Sequence, residues 1–152
     1  MSDKLNIGDK LGNFELKDHK GNTVNLENLK GKKVLLSFHP LAWTSVCRDQ
    51  MKSLEENYDK FSEYNTIPFG LSIDTTFTKN AWAKEIGIEK VRLLSDFWPT
   101  GELAKRLDVF REKDGFTERA NILLDEEGKI IWKKVYPISE LPDLKEIFDL
   151  IS

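Results

Sequence analysis

The sequence lacks several of the groups on which small proteins build their sites. Its 152 residues include one cysteine, Cys47, and two histidines, His19 and His39. A lone cysteine cannot form an internal disulfide, a Cys-x-x-Cys dithiol or a zinc site built from cysteines. The two histidines stand far apart in the chain and do not by themselves indicate a metal site. We therefore expect no metal and no other cofactor.

A basic surface and long apolar segments are also missing. The net charge is −3, the pI lies near 5.5, and the charged residues, 32% of the total, are mixed in sign. Such a chain offers no basic field for nucleic acid or for an anionic membrane. No apolar run approaches the ~18 residues of a membrane span, and the polar N-terminus does not resemble a signal peptide. We expect a cytoplasmic protein with neither partner, folded as one domain over residues 1–152.

The one cysteine stands where a predicted strand passes into a predicted helix. Residues 34–38 form a short, mostly apolar run after a polar turn, which is typical of a buried strand. The pattern then changes to the spacing of an amphipathic helix that we expect to run to about Tyr64. The apolar residues that recur on one face of this helix, four or three positions apart, are Cys47, Met51, Leu54, Tyr58 and Phe61.

Thr44 is the expected N-cap of this helix, which makes Cys47 the third helical residue. The first amides of a helix have no internal partner and carry the positive end of its dipole, so a thiolate is favoured there. Position alone is equally consistent with a small, buried and inert cysteine. The choice between a nucleophile and a core residue therefore depends on the residues around it.

The other predicted elements follow from alternation, helical spacing and turn residues. They are a hairpin (14–16 with 23–26), a strand (68–74), a helix (79–86, capped by Thr78 and ended by Gly87), a strand (91–94), a helix (102–107), a hairpin (120–124 with 129–135) and a helix that opens near Pro142. This order predicts an α/β, thioredoxin-like fold with a central mixed sheet flanked by helices and an N-terminal β-hairpin. Sites in such sheets form at the carboxyl ends of parallel strands, where Cys47 stands.

The motif Pro40-x-x-x-Thr44-x-x-Cys47 resembles the active-site motif of the peroxiredoxins, the alkyl hydroperoxide reductase and thiol-specific antioxidant family. With its short length, its aromatic loop and no second cysteine, the chain resembles the one-cysteine, AhpE-like branch of this family. Further positions agree with the family over nearly the whole chain, namely Gly21, Gly31, Lys32, Gln50, the loop 95–99 and Arg119. Residues 10–14 lack the family's usual proline, which affects only a local turn.

The resemblance implies a thiol-dependent peroxidase that reduces hydrogen peroxide and organic hydroperoxides. Cys47 would be ionised by the helix N-terminus and by the guanidinium of Arg119, and would become a sulfenic acid. Thr44 would position the peroxide, and Pro40 would shield the thiol. Gln50 would be a supporting residue that holds a neighbouring side chain such as the arginine. With no second cysteine in the chain, an external thiol must reduce the sulfenic acid.

Three further expectations concern neighbouring residues and partners. His39 either bonds to the sulfur or points to the other face of the sheet, and Arg48 is expected to face solvent or an interface. Phe97 and Trp98 belong to a substrate rim or to a subunit contact. In the family that the chain resembles, their loop often lies near a dimer interface beside the active site, which implies a homodimer. The reductant is a low-molecular-weight thiol or a thioredoxin- or glutaredoxin-type protein.

Two other classes remain open at this stage. A non-catalytic thioredoxin-like module would keep Cys47 buried and inert. A cysteine hydrolase or acyl transferase would need a histidine base within hydrogen-bond reach of the thiol, and only His39 and His19 are available.

Overall fold

The structure is a computed structural model, and it describes residues 4–152. The strands are β1 (Glu15–Asp18), β2 (Thr23–Asn25), β3 (Lys33–Phe38), β4 (Thr66–Ser72), β5 (Arg92–Ser95), β6 (Phe110–Arg111), β7 (Phe116–Thr117), β8 (Arg119–Leu124) and β9 (Ile130–Tyr136). The α-helices are α1 (Ser45–Glu56), α2 (Tyr58–Glu63), α3 (Thr76–Ile86), α4 (Glu102–Arg106) and α5 (Lys145–Ile151), and a 3₁₀ helix covers Leu26–Leu29.

A mixed sheet dominates the described residues, with the strand order β2-β1-β5-β4-β3-β8-β9. Strands β3, β4 and β5 run parallel to their neighbours in this group, whereas β1, β2, β8 and β9 pair antiparallel. This confirms the predicted fold class, including the N-terminal hairpin of β1 and β2. Because β3, β4 and β5 are parallel, the loops that follow them begin at the same edge of the sheet.

Apolar side chains cover both faces of the sheet. In β3, Leu36 and Phe38 belong to one core cluster and Leu35 to another, as the two-residue period of a strand requires. The Leu35 cluster includes Cys47 and Met51 of α1, as well as residues of α3 and α5. Helix α1 is therefore packed along the sheet with the thiol on its inner face.

Gly70 of β4 allows α1 to approach the sheet closely. A Cβ atom at this position would collide with the sulfur of Met51 and with Cδ2 of Leu93. The strand therefore needs a residue without a side chain where the helix crosses it.

The helix that carries Cys47 is shorter than predicted. It ends at Glu56, and Asn57 (φ −104°, ψ 11°) separates it from α2 instead of continuing the helix to Tyr64. The carbonyl oxygen of Ser53 accepts both the side-chain amide of Asn57 at 2.8 Å and its backbone N–H at 3.2 Å, so Asn57 closes the last turn of the helix. Phe61 remains buried because α2 still packs its apolar side inward.

Two other boundaries also differ from the predictions. The cap of α3 is Thr75, whose hydroxyl oxygen accepts the N–H of Thr78 at 3.2 Å, so Thr78 was the wrong choice. The same helix ends at Gly87 (φ 79°), as predicted. Helix α5 begins at Lys145, later than the position near Pro142 that the sequence indicated.

The polar segment 109–118 contains the hairpin of β6 and β7, which the sequence analysis missed. Arg111 pairs with Asp114 and Glu118, so charged side chains stabilise an exposed turn that lacks an apolar pattern.

Among the helices of residues 4–152, none is long and apolar enough to cross a membrane.

Candidate active site

The thiol lies in the first turn of α1, as the sequence predicted. Thr44 occupies the N-cap position with an extended backbone (φ −106°, ψ 152°), and Cys47 is the third helical residue. The hydroxyl of Thr44 does not cap the helix, contrary to expectation, because it donates to the carbonyl oxygen of Leu41 at 3.0 Å. Thr44 is exposed, so its hydroxyl faces the loop and the solvent instead of the helix amides.

Arg119 is the charged partner of the thiol. Its Nη1 lies 3.3 Å from Sγ of Cys47, and its Nε donates to the carbonyl oxygen of Ile138 at 2.8 Å. Arg119 is the first residue of β8, which pairs antiparallel with β3 and places Ala120 opposite Phe38. The start of β8 therefore lies beside the end of β3, and this pairing brings a distant arginine to the cysteine.

Gln50 connects the guanidinium to the end of β3. Its Oε1 accepts from Nη1 of Arg119 at 2.6 Å. Its Nε2 donates to the hydroxyl of Ser37 at 2.7 Å and to the carbonyl oxygen of Phe38 at 3.1 Å. All of these groups are buried, so the amide of Gln50 satisfies its partners on both sides and fixes their distance.

The mouth of the site is a cavity of about 320 Å³. Pro40 is buried in its wall, and the exposed Thr44 lies at its edge. The other lining residues are Leu41, Ser45, Val46, Phe116, Arg119, Ile138 and Ser139. Phe116 and Ile138 were missed from the sequence, because their segments contact α1 only through the tertiary fold.

His39 does not reach the sulfur through a hydrogen bond. Its Nε2 lies 3.4 Å from Nζ of Lys79, and its ring packs on Trp82 with centroids 5.3 Å apart. Burial holds the pKa of His39 well below 6.5, and the charges of Lys79 and Arg119 lower it further. His19 lies elsewhere, where its Nδ1 accepts the N–H of Leu93 at 3.1 Å. Within residues 4–152 no hydrogen bond joins either histidine to Cys47, so the hydrolase alternative lacks its base.

A buried polar network next to the site was also missed. Lys79 is fully buried, and its Nζ donates to the hydroxyl of Ser72 as well as contacting His39. The Ser72 hydroxyl in turn donates to Oδ2 of Asp74 at 2.6 Å. A usable signal was present in the sequence, because Lys79 is three residues before Trp82 and shares its inward helical face.

Exposed aromatic residues surround the edge of the sheet where the thiol lies. Phe97 is 50% exposed and Trp98 is 79% exposed, and both follow β5. Two others went unnoticed in the sequence: Trp43, which follows β3, and Phe77, which follows β4 and is 85% exposed. Arg48 is half exposed and pairs with Asp49, which agrees with the expected solvent-facing position.

Comparison with known proteins gives a consistent result. The AhpC/TSA family model matches residues 7–133. The chain is 31% identical over 149 residues to alkyl hydroperoxide reductase E of Mycobacterium tuberculosis, covering 97% of each chain. It is 30% identical over 139 residues to peroxiredoxin Bcp of Bacillus subtilis, covering 86% of this chain and 87% of the relative.

Solved structures agree with this assignment. The crystal structure of Enterococcus faecalis AhpC superposes with a TM-score of 0.88 at 26% identity, covering 95% of this chain and 89% of that one. The reduced 2-Cys peroxiredoxin of Plasmodium vivax gives 0.85 at 29% identity, covering 95% and 79%. The single buried cysteine of this chain fits the one-cysteine branch. The chain belongs to the AhpC/TSA family, the peroxiredoxins.

Proposed function

We propose that this protein is a thiol-dependent peroxidase that reduces hydrogen peroxide and organic hydroperoxides at Cys47. The observation that carries the proposal is the 3.3 Å contact between Nη1 of Arg119 and Sγ of Cys47 at the start of α1. A guanidinium and a helix N-terminus both favour a thiolate, which is the reactive form of cysteine. An inert core cysteine has no need of a buried cation beside it.

In the first step the Cys47 thiolate attacks one oxygen of the hydroperoxide. An S–O bond forms and the O–O bond breaks, so the sulfur is oxidised by two electrons to a sulfenic acid and the peroxide is reduced to an alcohol or water. The leaving oxygen takes up a proton. Arg119 can donate to the oxygen on which negative charge develops, because its position is already fixed by Gln50 and by Ile138.

Thr44 and Pro40 shape the approach of the peroxide. The hydroxyl of Thr44 is exposed at the edge of the cavity and can turn from Leu41 to a peroxide oxygen. Pro40 fills the wall of the cavity and keeps water from the sulfur. His39 supports the site from its contact with Lys79 and does not act on the substrate.

The second step needs an external thiol, since the chain contains only one cysteine. That thiol displaces water from the sulfenic acid to form a mixed disulfide, and a second thiol releases Cys47 and leaves with the first as a disulfide. We infer a low-molecular-weight thiol or a thioredoxin- or glutaredoxin-type protein as the reductant. A cytoplasmic location suits this chemistry, because thiols are kept reduced there.

The chain is proposed to act as one domain and to form a homodimer. Leu11 and Ile151, near the two ends, are both buried in the core clusters on the sheet, which supports one domain over residues 1–152. Phe97 and Trp98 share one sheet edge with Trp43 and Phe77, because all four follow parallel strands. Exposed aromatics clustered in this way are typical of a subunit contact.

The function is tested by mixing the reduced protein with one equivalent of hydrogen peroxide. Intact mass should show rapid gain of one oxygen, tryptophan fluorescence should change at the same rate, and added thiol should reverse both. The Cys47→Ser variant is the matched control and should show neither signal while keeping the same fold by circular dichroism. Oxidation of the wild-type protein no faster than that of a free thiol would sink the proposal.

A further inference from the structure

Lys79 is a buried lysine with few neutralising contacts. Its side chain has no exposed surface, and among residues 4–152 the atoms within hydrogen-bond reach of Nζ are the hydroxyl of Ser72 and Nε2 of His39, both uncharged. Burying an ammonium without a direct ion pair is unfavourable, so a lysine at this position lowers the stability of the fold. An arrangement of this kind is more common at functional sites than in structural cores.

A chain of hydrogen bonds links Lys79 to the loop that carries the thiol. The Ser72 hydroxyl accepts from Nζ and donates to Oδ2 of Asp74 at 2.6 Å, and the same Oδ2 accepts the backbone N–H of Ala42 at 2.8 Å. Ala42 lies between Pro40 and Thr44, the two residues that shape the peroxide approach. Lys79 therefore helps to fix the loop through Ser72 and Asp74.

The charges that face Lys79 come from several elements. The groups that favour its protonated form are Asp74 after β4, Cys47 of α1 and Asp96 after β5. The charge of Lys79 lowers the pKa of His39, which follows β3, and of His19, which lies in the turn after β1. Arg119 of β8 lowers the pKa of His39 as well. The interaction with Cys47 is reciprocal: if the thiolate favours the ammonium, the ammonium favours the thiolate to the same extent.

We propose that Lys79 is a positioning residue of the peroxidase site, a second cation that stabilises the Cys47 thiolate and holds its loop through Ser72 and Asp74. The inference rests on the proposed function, because it assigns Lys79 to the reaction of the same thiol. It adds a charge that the motif around Cys47 and Arg119 does not contain.

The effect of Lys79 has a defined pH range. Burial lowers its pKa to about 7, against the opposing influence of Asp74, Cys47 and Asp96. The side chain is therefore an ammonium below this pH and largely an amine about one unit above it. Its support of the thiolate is present on the acid side and is lost as the pH rises.

The test compares the rate constant for hydrogen peroxide in the wild-type protein and in Lys79→Met from pH 5.5 to 9, by stopped-flow tryptophan fluorescence. We expect the variant to be slower by about tenfold near pH 6 and by a smaller factor near pH 9, where the charge is gone and only the lost hydrogen bond to Ser72 remains. Lys84→Met, which removes an exposed lysine from the same helix, is the matched control and should follow the wild type. A ratio that stays constant over the whole pH range would show a purely structural role and overturn the proposal.

Ser72→Ala separates the two contributions of Lys79. It breaks the hydrogen-bond chain to the loop and keeps the cation, so the rate should fall by a similar factor at every pH. A pH-dependent loss in this variant would contradict the assignment of the charge effect to Lys79.

A second measurement leaves Lys79 in place and serves if Lys79→Met does not fold. The Lys79 side chain is titrated by NMR in protein labelled with ¹³C at lysine Cε, in the reduced wild type and in Cys47→Ser. Loss of the thiolate should shift the Lys79 midpoint to lower pH, and identical midpoints would refute the coupling. Failure of the proposed function has a different signature, since a wild-type protein that does not react with peroxide could still show this shift.

Discussion

The side-chain oxygen of Gln50 lies 2.6 Å from Nη1 of Arg119, the same nitrogen that contacts Cys47. The position of a guanidinium is fixed by the acceptors of its N–H groups. One of these acceptors, the side-chain oxygen of Gln50, belongs to the helix that also carries the thiol. Helix α1 therefore carries the sulfur and, one turn later, an acceptor for the guanidinium, while the carbonyl oxygen of Ile138 accepts from Nε of the same arginine.

Gln50→Ala should remove this control of distance. A hydrogen bond to a charged group contributes about 1.5–3 kcal/mol, so we expect the peroxide rate constant to fall by about 10- to 100-fold. Stopped-flow fluorescence gives the rate, and Lys52→Ala, an exposed change on the same helix, is the control. An unchanged rate in Gln50→Ala would show that Ile138 alone positions Arg119.

Arg119→Met removes the guanidinium and keeps an unbranched side chain in the buried site. The thiolate loses its nearest cation, so the midpoint of the pH–rate profile should move to higher pH and the rate at pH 7 should fall by about 100-fold or more. The rate of Arg119→Lys should lie between those of Arg119→Met and the wild type. Lysine keeps a charge but cannot bond to Gln50 and Ile138 together. Full activity in Arg119→Met would show that another cation serves the thiol.

Thr44→Val should affect the reaction differently. It removes a hydroxyl that donates to the carbonyl oxygen of Leu41 in the absence of substrate and keeps the side-chain shape. The peroxide rate should fall by about three- to tenfold, the contribution of one ordinary hydrogen bond, with no change in the midpoint of the pH–rate profile. Thr44→Ser keeps the hydroxyl and should retain the rate. A shifted midpoint in Thr44→Val would mean that the hydroxyl acts on the thiol instead of the peroxide.

Lys79 should also give the protein a pH-dependent stability. Its pKa is about 7 in the folded protein, below the ordinary 10.5, so the unfolded chain binds more protons between these values. The penalty for burying the charge is complete below pH 7 and is relieved as the pH rises toward 10.5, by up to about 1.4 kcal/mol per pH unit. Urea unfolding at pH 6 and pH 9 measures this change in the free energy of unfolding. The gain from pH 6 to pH 9 should be larger in the wild type than in Lys79→Met, and equal gains would disprove it.

Trp98→Lys should separate the proposed dimer into monomers. The residue is 79% exposed, so the change should leave the fold of the protomer intact while placing a charge in the proposed subunit contact. Sedimentation velocity gives the mass of each species, with Phe77→Lys as a second variant on the same sheet edge and Leu150→Lys as a control on α5. A wild-type protein that sediments as a monomer at working concentration would remove the interface from the proposal.

The junction around Cys47 could be predicted because it depends on local patterns. An apolar run followed by helical spacing places the thiol at the start of a helix, and the structure agrees. The end of the helix could not be predicted in the same way, because Tyr58 and Phe61 keep the apolar spacing across the break at Asn57. That break is stabilised by a side-chain bond to Ser53, which has no periodic signature.

Most residues around the thiol are brought there by long-range pairing, which local sequence patterns do not show. Arg119 could be predicted only from the family resemblance, since no local sequence pattern links β8 to β3. Lys79 was missed for a different reason: a lysine in a helix is expected in solvent, and its burial depends on Ser72 and His39, which belong to other elements. Phe116 and Ile138 line the cavity for the same kind of reason.

Complete burial of Cys47 has a consequence for the two halves of the catalytic cycle. A peroxide has few atoms and can enter the cavity beside Thr44, whereas a thiol on a protein surface cannot touch a sulfur with no exposed area. Reduction by a protein partner therefore requires the first turn of α1 or the loop before it to open. Where the reductant is a protein, a more viscous solvent should therefore slow the reduction of the sulfenic acid more than its formation.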